Sequence, residues 1–408
     1  MKNARFGNCG ALLIAVVTLL VACSTAPYKP LPMNVDSLRQ RAEIQTFEPL
    51  TVKAAVPSAA ESESLFGVPL YDNGVQPVWL EISNGGLERI RFAMVSVDPD
   101  YFSPLEVSYT LRKGFSKEAR AAMDKHFHES GIGRFVEPGE TISGFVFTHL
   151  SPGTKSFNVD LFGVETMQNF AFFIQVPGFR PDHAEVDFKQ LYTRNDIREL
   201  TTEEFRNSIG ELPDYTANRD GVPSGLPINT VIVGNGLDVL RALLRAGWYE
   251  STVAAGKGKT GSGQETYYLY GRKPDAVFRF QRNNSVDRNE LRVWLAPMRV
   301  EGEMVWLGQV TNFVGQRTYI ENVFFGAHLD PDVDDARGFL LQNIWYSQGL
   351  QSFAWSNAGK SIPFDQPGTD FNDNPFFTDG FRAVMWFSGA PYSLIDTTRL
   401  NWDEAPGQ

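Results

Sequence analysis

The sequence predicts two folded domains, an all-β domain followed by an α+β domain. The chain has 408 residues, which is long enough for two hydrophobic cores of ordinary size. Its 42% apolar and 21% charged residues are typical of globular proteins. Aromatic residues make up 13%, and runs such as FVFTHL and YYLYG favour strands. We therefore expect a protein in which sheet dominates helix.

The first predicted domain covers residues 61–180 and has the pattern of an immunoglobulin-like β-sandwich. Short apolar runs alternate there with turn sequences such as NGG and PG. One amphipathic helix, SKEARAAMDKHFHES, interrupts the strands, and Ser116 is placed to cap its start. The predicted strands are VWLEISN, IRFAMVSV, EVSYTLR, TISGFVFTHL, SFNVDLFG and FAFFIQV.

A partly helical connector over residues 181–220 leads to a second domain over 221–408. In the connector, Thr201 or Thr202 can cap a short helix, with one of the two following glutamates near the helix start. The second domain begins with the strand INTVIVG and the helix LDVLRALLRAGW, continues with several strands, and ends with a helix after HLDPD and the strand FRAVMWF. This order predicts an α+β sandwich, with a mostly antiparallel sheet and helices on one face.

An ordered set of segments in the second domain resembles the LssY-like C-terminal domain over residues 221–390. The segments are LPINTVIVGNGLDVLRALLRAGW, YLYGRKPDAVFRFQR, NELRVWLAP, VWLGQVT, HLDPDVDDAR and TDGFRAV. The resemblance implies a fold and an envelope or lipid setting, because this domain also occurs fused to membrane-embedded lipid-phosphatase modules, but it implies no activity. One departure is Glu290, where family members often carry histidine. His328 is then the only histidine of the second domain.

Residues 1–22 have the features of a secretory signal. Two basic residues precede the apolar run ALLIAVVTLLVA, which is too short and wrongly flanked for a resident transmembrane span. The sequence LVAC that ends at Cys23 resembles the lipobox of bacterial lipoproteins. That resemblance implies cleavage before Cys23, acylation of the cysteine with chains such as palmitate, and attachment to the membrane by lipid. Ser24 resembles the outer-membrane sorting pattern of Gram-negative lipoproteins, and residues 23–60 are predicted to form a lipidated spacer.

Composition excludes several classes of function. Cys9 leaves with the signal and Cys23 is acylated, so the mature chain is predicted to have no free thiol. This excludes Cys/His catalysis, thiolate zinc sites and disulfide frameworks. Loss of the two positive charges of the signal changes the formal net charge from −11 to −13, which argues against a nucleic-acid partner. The patterns G-x-S-x-G and H-E-x-x-H do not occur either.

The densest group of ionisable residues is HLDPDVDDAR, which begins at His328. An EF-hand is excluded because the required glycine and final glutamate are missing. We favour the start of a helix, with Asp330 as N-cap and Pro331 at the first helical position. Two alternatives stay open. One is a Ca²⁺, Mg²⁺ or Mn²⁺ site made by Asp330, Asp332 and Asp334; the other is general acid/base chemistry by His328 with an aspartate.

The strand NELRVWL carries a second charged group. Alternation places Arg288, Glu290 and Arg292 on one face. Two arginines beside an acid are able to bind a phosphate or carboxylate, but a cross-strand salt ladder uses the same residues without a ligand, and we favour the ladder. Asp379 reads first as part of a turn, and it would add to a polar pocket if the fold brings it beside His328 and Arg292.

The leading prediction is a lipid-anchored protein of the bacterial cell envelope, at the outer membrane, that acts as a non-enzymatic binding or structural module. Its expected partners are the membrane, through the N-terminal lipid, and an envelope protein or lipid. The alternative is an envelope hydrolase acting on a phosphate- or lipid-containing substrate. Its candidate catalytic residues are His328, Asp330, Asp332, Arg292 and Asp379. No cofactor is predicted beyond the cation considered above. An enzyme requires these side chains to converge on one cavity, whereas a binding module does not.

Overall fold

The chain divides into two compact units. The computed structural model describes residues 27–151, 153–251, 266–281, 287–314 and 328–404. The first unit comprises residues up to 150 together with 159–170, and the second comprises 151–158 and 171–408. The predicted signal and the lipidated Cys23 lie outside the described residues. In the described ranges, no helix is long and apolar enough to cross a membrane.

The first unit contains one four-stranded sheet and most of a second, whose strands β7 and β8 include residues 154–158 and 171–175 of the second unit. The strands of these two sheets are β1 (Glu43–Phe47), β2 (Leu50–Ala55), β3 (Val75–Asn84), β4 (Ile90–Ala93), β5 (Phe135–Val136), β6 (Thr141–His149), β7 (Thr154–Phe162) and β8 (Met167–Gln175). The helices of the first unit are α1 (Asp36–Arg41), α2 (Ala59–Phe66), α3 (Pro104–Leu111) and α4 (Lys117–Ser130), with 3-10 turns at Tyr71–Asn73 and Met94–Ser96. One sheet has the order β1-β2-β3-β6 and the other β5-β4-β7-β8.

Helices pack on part of the first sheet. In an immunoglobulin-like sandwich a second sheet would pack there. Phe66 of α2 and Phe127 of α4 pack with Phe145 and Phe147 of β6 in one buried cluster. Ser116 caps α4 by accepting a hydrogen bond from the Ala119 amide, as predicted. The immunoglobulin-like sandwich predicted over 61–180 is not confirmed; the unit is a mixture of helices and antiparallel sheets.

The segment EVSYTLR, predicted to be a strand, belongs to helix α3. The Ser103 hydroxyl accepts a hydrogen bond from the Glu106 amide at 3.2 Å, and the Glu106 carboxylate accepts one from the Ser103 amide at 3.2 Å. This capping box, with Pro104 at the first helical position, defines a helix start. Apolar alternation within the segment favoured a strand, but the capping chemistry just before it decides the structure.

The spacer predicted over 23–60 is folded from Asp36 onward. It contains α1 and the β1–β2 hairpin, and β2 pairs antiparallel with β3. Leu50, Val52 and Ala54 of β2 are fully or almost fully buried. Alternation of apolar residues in LTVKAA is therefore a strand signal, and residues 36–55 belong to the folded unit rather than to a spacer.

The second unit is organised around one large mixed sheet. Its strands are β9 (Arg198–Leu200), β10 (Thr230–Val233), β11 (Tyr249–Glu250), β12 (Ala276–Gln281), β13 (Arg288–Val300), β14 (Glu303–Val314), β15 (His328–Leu329), β16 (Leu350–Ser356), β17 (Gly368–Thr369), β18 (Pro375–Phe376), β19 (Arg382–Phe387) and β20 (Thr398–Arg399). Its helices are α5 (Thr202–Ser208), α6 (Gly236–Arg245) and α7 (Val333–Tyr346), with 3-10 turns at Asp182–Glu185 and Ile209–Glu211.

The strand order is β11-β12-β13-β14-β10-β19-β16-β20, with β15 beside β14 and β9 beside β13. Most pairings are antiparallel, as predicted, but β10 with β19, β9 with β13 and β16 with β20 are parallel. β17 and β18 form a separate two-stranded ribbon. The α+β prediction is thus confirmed in its coarse form, and the sheet is mixed.

Helices α6 and α7 pack on the same face of this sheet. Val239 and Leu243 of α6 and Leu340 of α7 share a buried cluster with Leu291 and Val293 of β13. Because side chains alternate along a strand, the intervening residues of β13 face the other way. The sheet therefore has one helix-covered face and one opposite face.

The connector contributes to the core on the opposite face. Phe205 of α5 and Ile209 are buried in one cluster with Trp294 of β13. A capping box between Thr201 and Glu204 begins α5, which resolves the predicted choice of capping residues. The connector is therefore an integral part of the second unit.

Candidate functional site

The acid-rich segment HLDPDVDDAR forms the start of helix α7. The N-cap is Asp332, whose carboxylate accepts hydrogen bonds from the Asp334 and Asp335 amides at 3.1 and 3.2 Å. Asp330, predicted to be the cap, instead accepts a hydrogen bond from the Asp332 amide at 3.1 Å. Pro331 consequently lies before the helix. The cap is displaced by two residues because Asp330 closes a turn of its own upstream of the helix.

Asp334 takes part in a buried ion-pair network. It accepts hydrogen bonds from the Thr378 hydroxyl at 2.8 Å and the Asp379 amide at 2.6 Å. Arg337, three residues along α7, lies 3.1 Å from Asp334 and binds both carboxylate oxygens of Asp379 at 2.8 Å. Arg337 also donates to the Phe381 carbonyl at 2.5 Å. Burial raises the pKa of Asp334, and Arg337 offsets this only in part.

The predicted catalytic residues do not converge. His328 is exposed and lies opposite Val314 of β14. Arg292 lies opposite Gln309 of β14, which is five residues from Val314. The positions of His328 and Arg292 along β14 are therefore about 17 Å apart. Asp379 is bound to Arg337 rather than to Arg292. Across the described ranges, no group of three or more His, Cys, Asp or Glu side chains is arranged to hold a metal ion.

A second charged cluster lies on the sheet face opposite α6 and α7. Glu290 of β13 is buried and contacts three guanidinium groups. Arg279, directly opposite on β12, donates to its carboxylate at 2.9 Å, and Arg288 lies 3.6 Å away. Arg292 hydrogen-bonds to the other carboxylate oxygen and donates to Gln309 Oε1 at 3.1 Å. We call these four charged residues the arginine cluster.

Electrostatics keep Glu290 ionised. Burial alone would raise its pKa, but Arg292, Arg279 and Arg288 together hold the pKa below the ordinary glutamate value. Arg292 also lies over the ring of Tyr267, 4.8 Å from its centroid. The cross-strand salt ladder favoured from sequence is therefore present, with Arg279 as an additional member that the sequence did not indicate.

An apolar cavity of about 340 Å³ lies between α6 and the helix-covered face of the sheet. Apolar and aromatic side chains from α6, three strands and the chain before β9 enclose it. Its lining residues are His183, Phe188, Gly236, Leu237, Val239, Leu240, Ala276, Phe278, Val293, Met304 and Trp306. Leu237, at the first turn of α6, is 53% exposed at this cavity. An apolar side chain in that position marks the cavity as open to solvent.

One edge of the cavity is polar. His183 Nε2 lies 3.5 Å from the carboxylate of Glu250, which is buried and accepts a hydrogen bond from the Thr154 amide at 3.0 Å. Burial raises the pKa of the neighbouring Asp182 carboxyl. A few polar groups at one edge of an apolar space are typical of small-molecule sites.

The ordered segments that suggested a family in the sequence now have a place in the fold: β10 with α6, then β12, β13, β14, the start of α7, and the turn that leads into β19. Residues 265–381 match the family model LssY C-terminus. The resemblance is thereby confirmed over these residues, a shorter range than the predicted 221–390. No curated protein matches the chain.

The LssY C-terminal segment contains the whole arginine cluster and the network of Arg337 with Asp334 and Asp379. The cavity is shared, because Ala276, Val293 and Trp306 lie within the segment while α6 and His183 precede it. Sequence reasoning missed the cavity for this reason: its walls come from distant parts of the chain. The one local signal was an apolar residue, Leu237, at the first turn of α6.

Proposed function

We propose that this protein is a cell-envelope lipoprotein, anchored by acylated Cys23, whose second unit binds the apolar chain of a lipid-like ligand without transforming it. The observation that carries the binding proposal is the cavity beside α6. Pockets of about 300–1,000 Å³ with apolar walls and a few polar groups are the usual form of small-molecule sites. The lipobox-like LVAC sequence supports the anchor.

The cavity favours one extended apolar chain with a polar end. Its volume of about 340 Å³ holds roughly eleven groups of the size of a water molecule, which corresponds to a medium-length acyl chain. His183 lines one edge and lies 3.5 Å from the buried Glu250, which is not itself a lining residue. We therefore expect the ligand's polar end to lie at His183 and its chain to run between α6 and β13.

The geometry favours binding over hydrolysis. Each aspartate of the α7 start already has partners of its own. Asp330 accepts a hydrogen bond from the Asp332 amide, and Asp332 accepts hydrogen bonds from the first amides of the helix. Asp334 is bound by the Thr378 hydroxyl and paired with Arg337. None of these acids is among the described residues that line the cavity. A general base needs to reach a substrate held in the same space, and the described lining offers no hydroxyl nucleophile beside His183.

A cavity-filling variant tests the proposal. Ala276→Leu places a larger apolar side chain at a position that lines the cavity. We expect the affinity of the full-length chain for a fluorescent fatty acid to fall at least about tenfold, with the thermal unfolding midpoint unchanged or raised. Fluorescence titration measures the first quantity and differential scanning calorimetry the second.

Ala60→Leu is the matched control, because it adds the same side chain at an exposed position of α2 in the other unit. It should leave binding unchanged. Equal affinity in Ala276→Leu and the unmodified chain would refute the cavity as the binding site. The mass of the N-terminal peptide from the same preparation should show acylated Cys23, and an unmodified peptide would refute the anchor.

A further inference from the structure

The arginine cluster has more donors than its own residues use. Three guanidinium groups, those of Arg279, Arg288 and Arg292, face one carboxylate, that of Glu290. The nearby Asp370 accepts hydrogen bonds from Tyr267 at 2.5 Å and from its own loop. Arg279 also acts electrostatically on Asp182, whose pKa is raised by burial. Glu290 is the carboxylate that all three guanidinium groups contact.

Two buried polar side chains beside this charge have atoms without partners. Thr311 lies directly opposite Glu290 on β14, and Gln309 lies opposite Arg292. Both residues are at most 1% exposed. Within the described residues, Thr311 Oγ1 and Gln309 Nε2 have no hydrogen-bond partner, and Arg288 Nε has no hydrogen bond but lies 3.6 Å from the Glu290 carboxylate. A buried donor without a partner costs about 1–3 kcal/mol, so two such atoms beside three arginines point to a place where a ligand would be stabilised.

A salt ladder alone does not explain this set. A ladder pairs each acid with a base and leaves neutral neighbours free to be apolar. Here threonine and glutamine occupy buried strand positions next to the charges, where valine or leucine would pack without an unsatisfied group. Guanidinium forks together with hydroxyl and amide donors on adjacent strands are the chemistry that binds a tetrahedral oxyanion.

We propose that Arg288, Arg292, Gln309 and Thr311 form a binding site for a phosphate group. Glu290 holds the guanidinium groups of Arg279, Arg288 and Arg292 in place, so that their remaining N–H groups are oriented before the ligand binds. The site lies on the sheet face opposite the apolar cavity, since β13 alternates between Arg292 and Val293. It is therefore a second site, which does not depend on the proposed function.

Titration with inorganic phosphate tests this inference on the full-length chain at constant ionic strength, with chloride as the balancing anion. We expect saturable binding by calorimetry, and much weaker binding of acetate, which lacks the tetrahedral set of oxygens. Arg292→Gln should abolish the binding. Arg299→Gln is the matched control, because it removes one charge from the same strand at a partly exposed position that bonds only to Gly302 and Glu199 among the described residues.

Thr311→Val separates a ligand site from a structural role. The substitution keeps the shape and removes only the buried hydroxyl, so the phosphate-free unfolding midpoint should stay the same or rise, while phosphate affinity falls about tenfold. A lower midpoint with unchanged affinity would overturn the proposal. So would the absence of saturable phosphate binding, or an equal loss in Arg299→Gln.

The source of the phosphate group is decided by two further ligands, glycerol 3-phosphate and a short-chain phosphatidate below its micelle concentration. Tighter binding of the phosphatidate, lost in Arg292→Gln, supports the site and assigns it to a lipid head group. Equal affinities, also lost in Arg292→Gln, support the site and assign it to a soluble phosphate. Binding of either ligand that persists in Arg292→Gln overturns it.

Discussion

Two charged clusters of the second unit differ in how their acids and bases are paired. At the start of α7, each of Asp330, Asp332 and Asp334 accepts hydrogen bonds from its neighbourhood, and Arg337 binds Asp379 through two hydrogen bonds. Around Glu290, the guanidinium groups outnumber the carboxylate, and buried donors beside them lack partners within the described ranges. In the first cluster every aspartate has a partner and, among the described residues, only Arg337 Nε is left without one, whereas the second is the cluster for which we propose a ligand.

A high density of acidic residues in a sequence is therefore a poor guide to a catalytic or ligand-binding site. HLDPDVDDAR is the most concentrated group of ionisable residues, yet capping and ion pairing account for its acids. The arginine cluster is dispersed over β12, β13 and β14 and becomes visible only when the strands are aligned.

The largest effect is expected for Arg337→Ala. The Arg337 side chain is 4% exposed, and its loss leaves Asp334 and Asp379 without their cation, which should lower the free energy of unfolding by about 3 kcal/mol. Urea denaturation, followed through the unfolding transition of the second unit, measures this free energy of unfolding. Arg206→Ala, which removes an exposed arginine, should change it by less than about 0.5 kcal/mol. Comparable losses in both variants would contradict the satisfied character of the α7 start.

The two clusters should also respond to pH in opposite directions. The pKa of Glu290 is held below its ordinary value of 4.5, so its stabilising contribution is fully present above that pH and is lost as the pH falls through the lowered pKa. The pKa of Asp334 is raised above 3.8, so its contribution improves as the pH falls through the raised pKa.

Glu290→Gln tests this contrast. At pH 7 the variant should be about 2 kcal/mol less stable, because the arginines lose their anion but stay partly hydrated. The deficit should shrink as the pH falls below 4.5, and thermal unfolding between pH 6 and pH 3 follows it. A deficit that does not change with pH would show that Glu290 is not ionised in the folded protein.

The smallest effect is expected for Asp332→Ala. The substitution removes the N-cap of α7, which should cost about 1 kcal/mol. Calorimetric titration with Ca²⁺, Mg²⁺ and Mn²⁺ should give no saturable binding that distinguishes the variant from the unmodified chain. Binding that the variant loses would restore the cation site considered from the sequence.

Local chemistry made much of the fold predictable. The strand–helix start of the second domain, the start of α4 at Ser116 and the capping box at Thr201 depend on residues a few positions apart. The strand prediction for EVSYTLR was wrong because it used the apolar alternation alone and left out the capping box between Ser103 and Glu106 that begins a helix there. The folded part of the spacer was missed because its proline- and serine-containing composition hid a short strand pattern.

The candidate sites were less predictable because they depend on register. Alternation placed Arg288, Glu290 and Arg292 together, but Arg279 joins them only because β12 pairs with β13 at that position. Thr311 enters for the same reason, through β14. The cavity unites walls from the chain before β9, from α6 and from three strands, and a local pattern cannot report such long-range packing.

The order of strands also bears on how this unit can be divided for expression or recombination. β10 and β19 are neighbours in the middle of the large sheet, yet both lie outside residues 265–381. A fragment cut at those limits would lack both strands and leave β14 and β16 with open edges, which invite association between copies. The compact unit that contains these strands comprises residues 151–158 and 171–408, so the segment that matches the family is smaller than the unit in which it lies.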